Sequence, residues 1–154
     1  MPLTQQHEFL EYPPLDASLH GFYTIKPDGY FYSSKPSAAP AHHSTTIDAI
    51  VDSGTTLLYV PTPVYTGYIA SFSPAATLDQ GSYFYPCNAT APEFGIKIAG
   101  MTFNVSSADI LLPDSGYKNK TSGVEYCLIG VQDGGAGAYA QPIFGGESKF
   151  LNMA

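Results

Sequence analysis

Ile47-Asp48-Ala49-Ile50-Val51-Asp52-Ser53-Gly54-Thr55-Thr56-Leu57-Leu58-Tyr59-Val60-Pro61 is the most informative stretch of this 154-residue chain. An apolar run, Ile47 to Val51, predicts a strand that delivers Asp52 into a tight Ser-Gly turn. Hydroxyls follow at Ser53, Thr55 and Thr56, and a second strand is predicted from Leu57 to Val60. A carboxylate in such a turn is held by backbone N–H groups and hydroxyls, which fixes its geometry and tunes its pKa. Asp, Ser and Gly are common turn formers, so the triplet alone is a weak signal. Its apolar flanks predict a partly buried turn, and a buried carboxylate needs a reason.

Outward from this loop the chain reads as short strands and turns. His20 to Ser33 predicts a hairpin with Lys26-Pro27-Asp28-Gly29 as its turn. Residues 34–46 read as a polar loop. Pro61-Thr62-Pro63 opens a helix, with Thr62 as N-cap and Pro63 at the first helical position. Val64, Tyr65, Tyr68, Ile69 and Phe72 then recur at helical spacing, and Ser73-Pro74 ends the element. Tyr83-Phe84-Tyr85 is a short strand running into Cys87. Phe94 to Val105 predicts a second hairpin turning at Ala99-Gly100. Tyr126 to Val131 is a strand carrying Cys127. A Gly-rich hairpin turn, Asp133 to Gly137, precedes a last apolar segment, Ala138 to Gly145.

Composition narrows the class. Tyr and Phe are abundant, Gly and Pro frequent, and Trp absent, which favours an all-β or β-rich domain. The net charge is -7, all six basic residues are Lys, and charged residues are only 12% of the chain. Phosphate contacts need a basic face, so a nucleic-acid partner is not expected. A sparse acidic surface suits acid conditions, because protonating its carboxylates relieves repulsion.

Two cysteines, Cys87 and Cys127, accompany three N-glycosylation sequons at Asn88, Asn104 and Asn119. Together they point to the secretory route and a disulfide, the alternative being two buried free thiols. No run is long enough to span a membrane, and no signal peptide is visible at Met1 to Glu8. A secreted composition with an internal-looking start is expected of the later part of a longer secreted protein. His42-His43 has no cysteine or carboxylate cluster nearby and reads as a solvated loop, so no metal or cofactor is expected. Asp48 reads as a polar strand face, and the Tyr and Phe stripe at 22–32 as sheet packing.

Six ordered segments resemble the pepsin-like aspartic proteases, most closely the secreted fungal branch. Leu10-Glu11-Tyr12-Pro13-Pro14-Leu15 is similar to the connection into that family's C-terminal lobe. Gly21-Phe22-Tyr23 with Asp28-Gly29-Tyr30 resembles the first hairpin of that lobe, and Ala49 to Pro61 its catalytic loop. Phe84-Tyr85-Pro86-Cys87 and Tyr126 to Gln132 resemble the segments carrying its disulfide. Ile143-Phe144-Gly145 resembles the element lying beside the catalytic loop. The implied architecture is all-β with one or two short helices, a six-stranded-type barrel or sandwich lobe lacking its closing strand. Residues 1–19 would be the interlobe connection, 20–145 the lobe, and 146–154 a divergent tail in which Gly146 stands where the family has Asp.

The resemblance implies a mechanism. Two carboxylates lie too close for both to ionise and share one proton. One activates a water to attack the peptide carbonyl, and the other hydrogen-bonds the developing alkoxide. Carried over, Asp52 is one catalytic member. Ser53 locks the two loops, the Gly54 N–H and the Thr55 hydroxyl bond the carboxylate, and Thr56 binds substrate backbone. The substrate is polypeptide and no cofactor is implied. One Asp-Thr/Ser-Gly triplet, and so one catalytic loop, is expected here, and its mate belongs to a missing N-terminal lobe or to a second copy of this chain. A non-catalytic peptide-binding role is the further alternative. A lone lobe would expose the face that meets its partner and tend to associate.

Overall fold

The computed structural model describes residues 23–137 and 140–145. The two apolar runs form β4 (Ala49–Asp52) and β5 (Leu58–Val60), as their composition predicts. They do not pair with each other. The last apolar segment, β13 (Ile143–Gly145), inserts between them, parallel to β4 and antiparallel to β5. With β1 (Thr24–Ile25) and β12 (Val131–Asp133) they make a mixed sheet in the order β1-β4-β13-β5-β12.

Two antiparallel sheets of four strands complete the β structure among the described residues. One orders β10 (Leu111–Lys118), β11 (Glu125–Ile129), β7 (Ser82–Pro86) and β6 (Thr77–Asp79). The other orders β3 (Ala41–Ser44), β2 (Gly29–Tyr32), β8 (Phe94–Ile98) and β9 (Met101–Val105). Among the described residues no sheet closes into a barrel, so the arrangement is a set of packed layers. Two short helices, α1 (Thr62–Ile69) and α2 (Ser107–Ile110), complete a β-rich fold.

The layers meet on aromatic rings. Tyr30 and Phe94 from the third sheet, Tyr68 from α1 and Phe144 from β13 are all fully buried. The Tyr68 ring lies 4.8 Å from Phe94, and Tyr30 meets Phe144 edge-on at 6.4 Å. Burying rings of this size drives folding by about 2–3 kcal/mol each, and the edge-on contacts add to that. Phe144 thus ties the strand beside the Ser-Gly turn directly into the core. The Tyr68 hydroxyl donates to the Pro92 carbonyl at 2.8 Å, and that of Tyr85 to Ser73 at 2.8 Å. The Tyr30 hydroxyl finds no described partner, and burial pushes its pKa up.

Several expectations are corrected. The described part of the hairpin expected at 20–33, residues 23–33, does not pair on itself: β1 pairs with β4, whereas β2 pairs with β3 and β8. Lys26-Pro27-Asp28-Gly29 instead carries the chain from one sheet to another. Asp28 anchors that corner, its N–H donating to Lys97 and its Oδ2 accepting from the Gly100 N–H at 2.7 Å. Gly29 has φ +156°, and a Cβ there would overlap the His43 carbonyl. Four residues of the expected 34–46 loop are β3, an edge strand on which the His43 ring stacks over Tyr32 at 4.0 Å. Asp133 to Gly137 is no hairpin turn either, because β5 lies between β12 and β13, the strand that follows.

The helix begins one residue early, with Pro61 as N-cap and no side-chain cap. The Thr62 hydroxyl donates to Asp133 Oδ1 at 2.6 Å instead, fastening α1 to the end of β12. Val64, Tyr68 and Phe72 face inward as their spacing predicts. The β8–β9 hairpin turns at Ala99-Gly100, both at positive φ, as expected. Cys87 and Cys127 are joined in a disulfide, so the free-thiol alternative does not hold. The expected interlobe connection and divergent tail, and Ala138-Tyr139 of the last apolar segment, lie outside the described residues.

Candidate active site

Asp52 is the last residue of β4 and lies in parallel register with Gly145 of β13. Residues 53–57 must therefore pass around the end of β13 before β5 can pair on its other side. That detour creates the loop, and β13 buttresses it. A Cβ on Gly145 would overlap the Thr55 carbonyl and sit 2.6 Å from the Leu57 carbonyl. Backbone cannot swing aside as a side chain can, so glycine is required by close approach. Gly145→Ala is expected to destabilise the protein by about 2–3 kcal/mol, read from the urea midpoint. An unchanged midpoint would mean that β13 does not press on the loop.

Both carboxylate oxygens of Asp52 are engaged. The Gly54 N–H donates to Oδ1 at 2.9 Å, and the Thr55 hydroxyl donates to Oδ2 at 2.5 Å. These bonds favour the ionised form and hold the Asp52 pKa below its ordinary value, the Thr55 hydroxyl contributing most. The residue is half-exposed, with Ser53, Gly54 and Thr56 at the surface around it. The turn is thus more open than its apolar flanks predict, and desolvation opposes the shift only weakly.

A lowered folded-state pKa stabilises the fold above the ordinary carboxylate value, and that contribution is lost as pH falls through the lowered one. Thr55→Val removes the stronger bond. The Asp52 carboxyl is then expected to titrate at higher pH, closer to an ordinary aspartate, in a side-chain carboxyl NMR titration. A titration curve that does not move would exclude Thr55 as the cause.

Thr56 lines a small cleft with Leu58, Val105, Asp109, Ile110, Gly130 and Val131. The Ser53 hydroxyl has no described partner. A second Asp-Ser-Gly, Asp114-Ser115-Gly116, corrects the expectation of one such triplet. Asp114 and Ser115 are exposed in β10, in another sheet from β4, where the register against β11 shifts between Leu112 and Tyr117. No described group hydrogen-bonds Asp114, and no described strand inserts beside it as β13 does beside Asp52. Among the described residues no cluster of three or more His, Cys, Asp or Glu side chains could hold a metal ion. The sequons place Asn88 in the turn after β7, Asn104 in β9, and Asn119 just beyond β10.

Comparison with known proteins bears on this arrangement. The family model for eukaryotic aspartyl proteases matches residues 8–151. A probable aspartic-type endopeptidase of Aspergillus fumigatus is 39% identical over 120 residues, covering 75% of this chain and 26% of that protein. Endothiapepsin of Cryphonectria parasitica is 40% identical over 92 residues, 58% of this chain and 20% of its own length. Penicillopepsin-3 of Penicillium janthinellum is 31% identical over 122 residues, 79% of this chain and 28% of its own. The chain thus spans between a fifth and about a quarter of the length of these relatives. In fold it resembles the crystal structure of the aspartic proteinase from Irpex lacteus, with TM-score 0.59 and 20% identity over 90% of this chain and 39% of the other. On these grounds the chain belongs to the eukaryotic aspartyl protease family, in its fungal pepsin-like branch.

Proposed function

We propose that this chain supplies one half of an aspartic endopeptidase site, with Asp52 as one of two catalytic carboxylates. The observation that carries the proposal is the Asp52 carboxylate itself. It stands at the end of two parallel strands, gripped on one oxygen by a backbone N–H and on the other by a hydroxyl. A group pinned this way needs no reorganisation when a proton leaves or a partner charge arrives.

A second carboxylate brought against Asp52 would share its proton and titrate with it as a unit. The pair would activate a water against a peptide carbonyl and stabilise the alkoxide that forms. Gly54 and Thr55 act as positioning residues. Ser53 is free to reach the opposing loop, and Thr56 meets substrate backbone. In this proposal residues 20–145 form the C-terminal lobe, 1–19 the connection into it and 146–154 its tail. The second carboxylate comes from an N-terminal lobe, the relatives being several times longer than this chain. The family, the disulfide and the sequons together support an extracellular or vacuolar location.

The test is cleavage of an unfolded protein at acid pH, by the chain alone and with an N-terminal lobe of a fungal relative. Activity only in the mixture, blocked by a transition-state inhibitor of pepsin-like enzymes, supports the proposal. Activity of the chain alone that rises with the square of its concentration would replace the missing lobe by a second copy. Peptide binding without cleavage in either case would leave a binding role and overturn catalysis.

A further inference from the structure

The three sequons sit in different chemical surroundings: Asn88 and Asn104 are exposed, whereas Asn119 is part-exposed and its side-chain amide is held by backbone N–H groups. Asn119 opens the turn between β10 and β11. Its N–H donates to the Val124 carbonyl at 2.9 Å, and its carbonyl accepts from Gly123 at 2.8 Å. Gly123, at φ +71°, closes the turn as a bulge glycine does. The Asn119 side-chain oxygen accepts from the N–H groups of Thr121 and Ser122, at 2.9 and 3.0 Å. That fixes the amide plane and leaves Nδ2 without a described partner. The Thr121 hydroxyl, the third member of the sequon, is exposed and likewise uncommitted.

Two residues before Asn119 stands Tyr117. Tyr117 lies in β10 and Asn119 is the second residue after it, just past the strand end, with its N–H still paired to the Val124 carbonyl opposite. The Tyr117 ring stacks on Tyr126 at 5.2 Å, nearly parallel, and meets Phe84 edge-to-face at 5.2 Å. Tyr117 is still part-exposed, so an aromatic platform of fixed orientation lies two residues before the side chain that would take the glycan. A pyranose presents a face of polarised C–H bonds, which an aromatic π-face attracts. The other sequons lack this arrangement. Two residues before Asn104 is Thr102, and its Ser106 hydroxyl already donates to Asp109 Oδ2 at 2.6 Å. Two residues before Asn88 is Pro86, and its immediate neighbour Cys87 is held in the disulfide.

We propose that Asn119 is an N-glycosylation site whose first N-acetylglucosamine packs on Tyr117. The proposal rests on the secretory location proposed above and is independent of proteolysis. Asn119 Nδ2 bonds to the anomeric carbon of a sugar carried on a lipid-linked diphosphate. The bond from that carbon to the diphosphate oxygen breaks, the diphosphate leaves with the electron pair, and a proton passes from Nδ2 to a base of the transferase. The sugar then shields part of the half-exposed aromatic row formed by Tyr117, Tyr126 and Phe84.

The experiment has two arms. In the first, the protein is isolated from its own cells, and amidase release of glycans in heavy-oxygen water labels each formerly glycosylated Asn as Asp for peptide mapping. Label at position 119 is expected. Label at 88 or 104 with 119 bare, or an intact disulfide with no label anywhere, overturns the proposal and leaves the secretory location standing. Reduced cysteines with no label overturn both. In the second arm, glycosylated and enzymatically deglycosylated forms of the secreted protein are melted side by side. The glycan is expected to raise Tm by about 2–4 °C. That increment should vanish in Tyr117→Leu and persist in Tyr117→Phe, each compared with its own deglycosylated form. An equal increment in all three would remove Tyr117 from the proposal.

Discussion

Asp52→Asn, combined with an N-terminal lobe, is expected to lower the rate of peptide cleavage by about 10³-fold or more at every acid pH. The amide keeps one oxygen where the Gly54 N–H donates, and its volume matches the carboxyl it replaces. What disappears is the ability to share and pass a proton, on which general acid–base and alkoxide stabilisation both depend. The Thr55 hydroxyl loses a charged acceptor and turns to water at this open surface, so the fold should survive. Activity and thermal melting must therefore be read together. Lost activity with an unchanged melt locates the chemistry at Asp52. Retained activity would assign the carboxylate to turn structure alone, and lost activity with a lost melt calls for the milder Thr55→Val change, which keeps the carboxylate.

Much of this site was legible because local chemistry determines it. An apolar run, a carboxylate, Ser-Gly and nearby hydroxyls suffice to predict that backbone N–H groups and hydroxyls hold Asp52; the family resemblance singled out Gly54 and Thr55, both within three residues of it. The place of Phe144 and Gly145 beside the loop came through family resemblance. Nothing in a three-residue apolar segment states which strands it will enter. The hairpin expected at residues 20–33 failed for the same reason. Pro27-Asp28-Gly29 makes a sharp corner in either case, and only long-range pairing decides whether the chain returns or crosses to another sheet. Strand β6, exposed along its whole length, has no apolar alternation to betray it. Helix α2 did leave a signal that was missed. Ser106 accepts from the Asp109 N–H and donates to its carboxylate, a cap written as Ser-x-x-Asp. The overlooked Asp114-Ser115-Gly116 teaches the converse. The triplet repeats, but only at Asp52 does an apolar strand lead in, another lead out and a third insert between them.

Removing the disulfide is expected to be the largest single loss of stability. Cys87→Ala with Cys127→Ala opens a link across a sequence separation of 40, worth about 4 kcal/mol by loop-closure entropy. Alanine is the right replacement, since Cys127 is only 2% exposed and a serine hydroxyl there would add a desolvation penalty of its own. The site of the link gives the loss its character. Cys87 follows the end of β7, and Cys127 lies in β11 between the buried Tyr85 row and Ile129. The opposite face of this sheet carries Phe84, Tyr117, Tyr126 and Leu128, all still partly in solvent. With one face only half-covered, the sheet gains less from burial than the sheet around Asp52, so the covalent tie supplies an unusual share of what holds it. The double variant should melt about 8–16 °C lower. Hydrogen exchange should rise first in β6, β7, β10 and β11, while β4, β5 and β13 stay protected. If protection fell equally in both sheets, the disulfide would be stabilising the whole fold as one cooperative unit rather than its weaker layer.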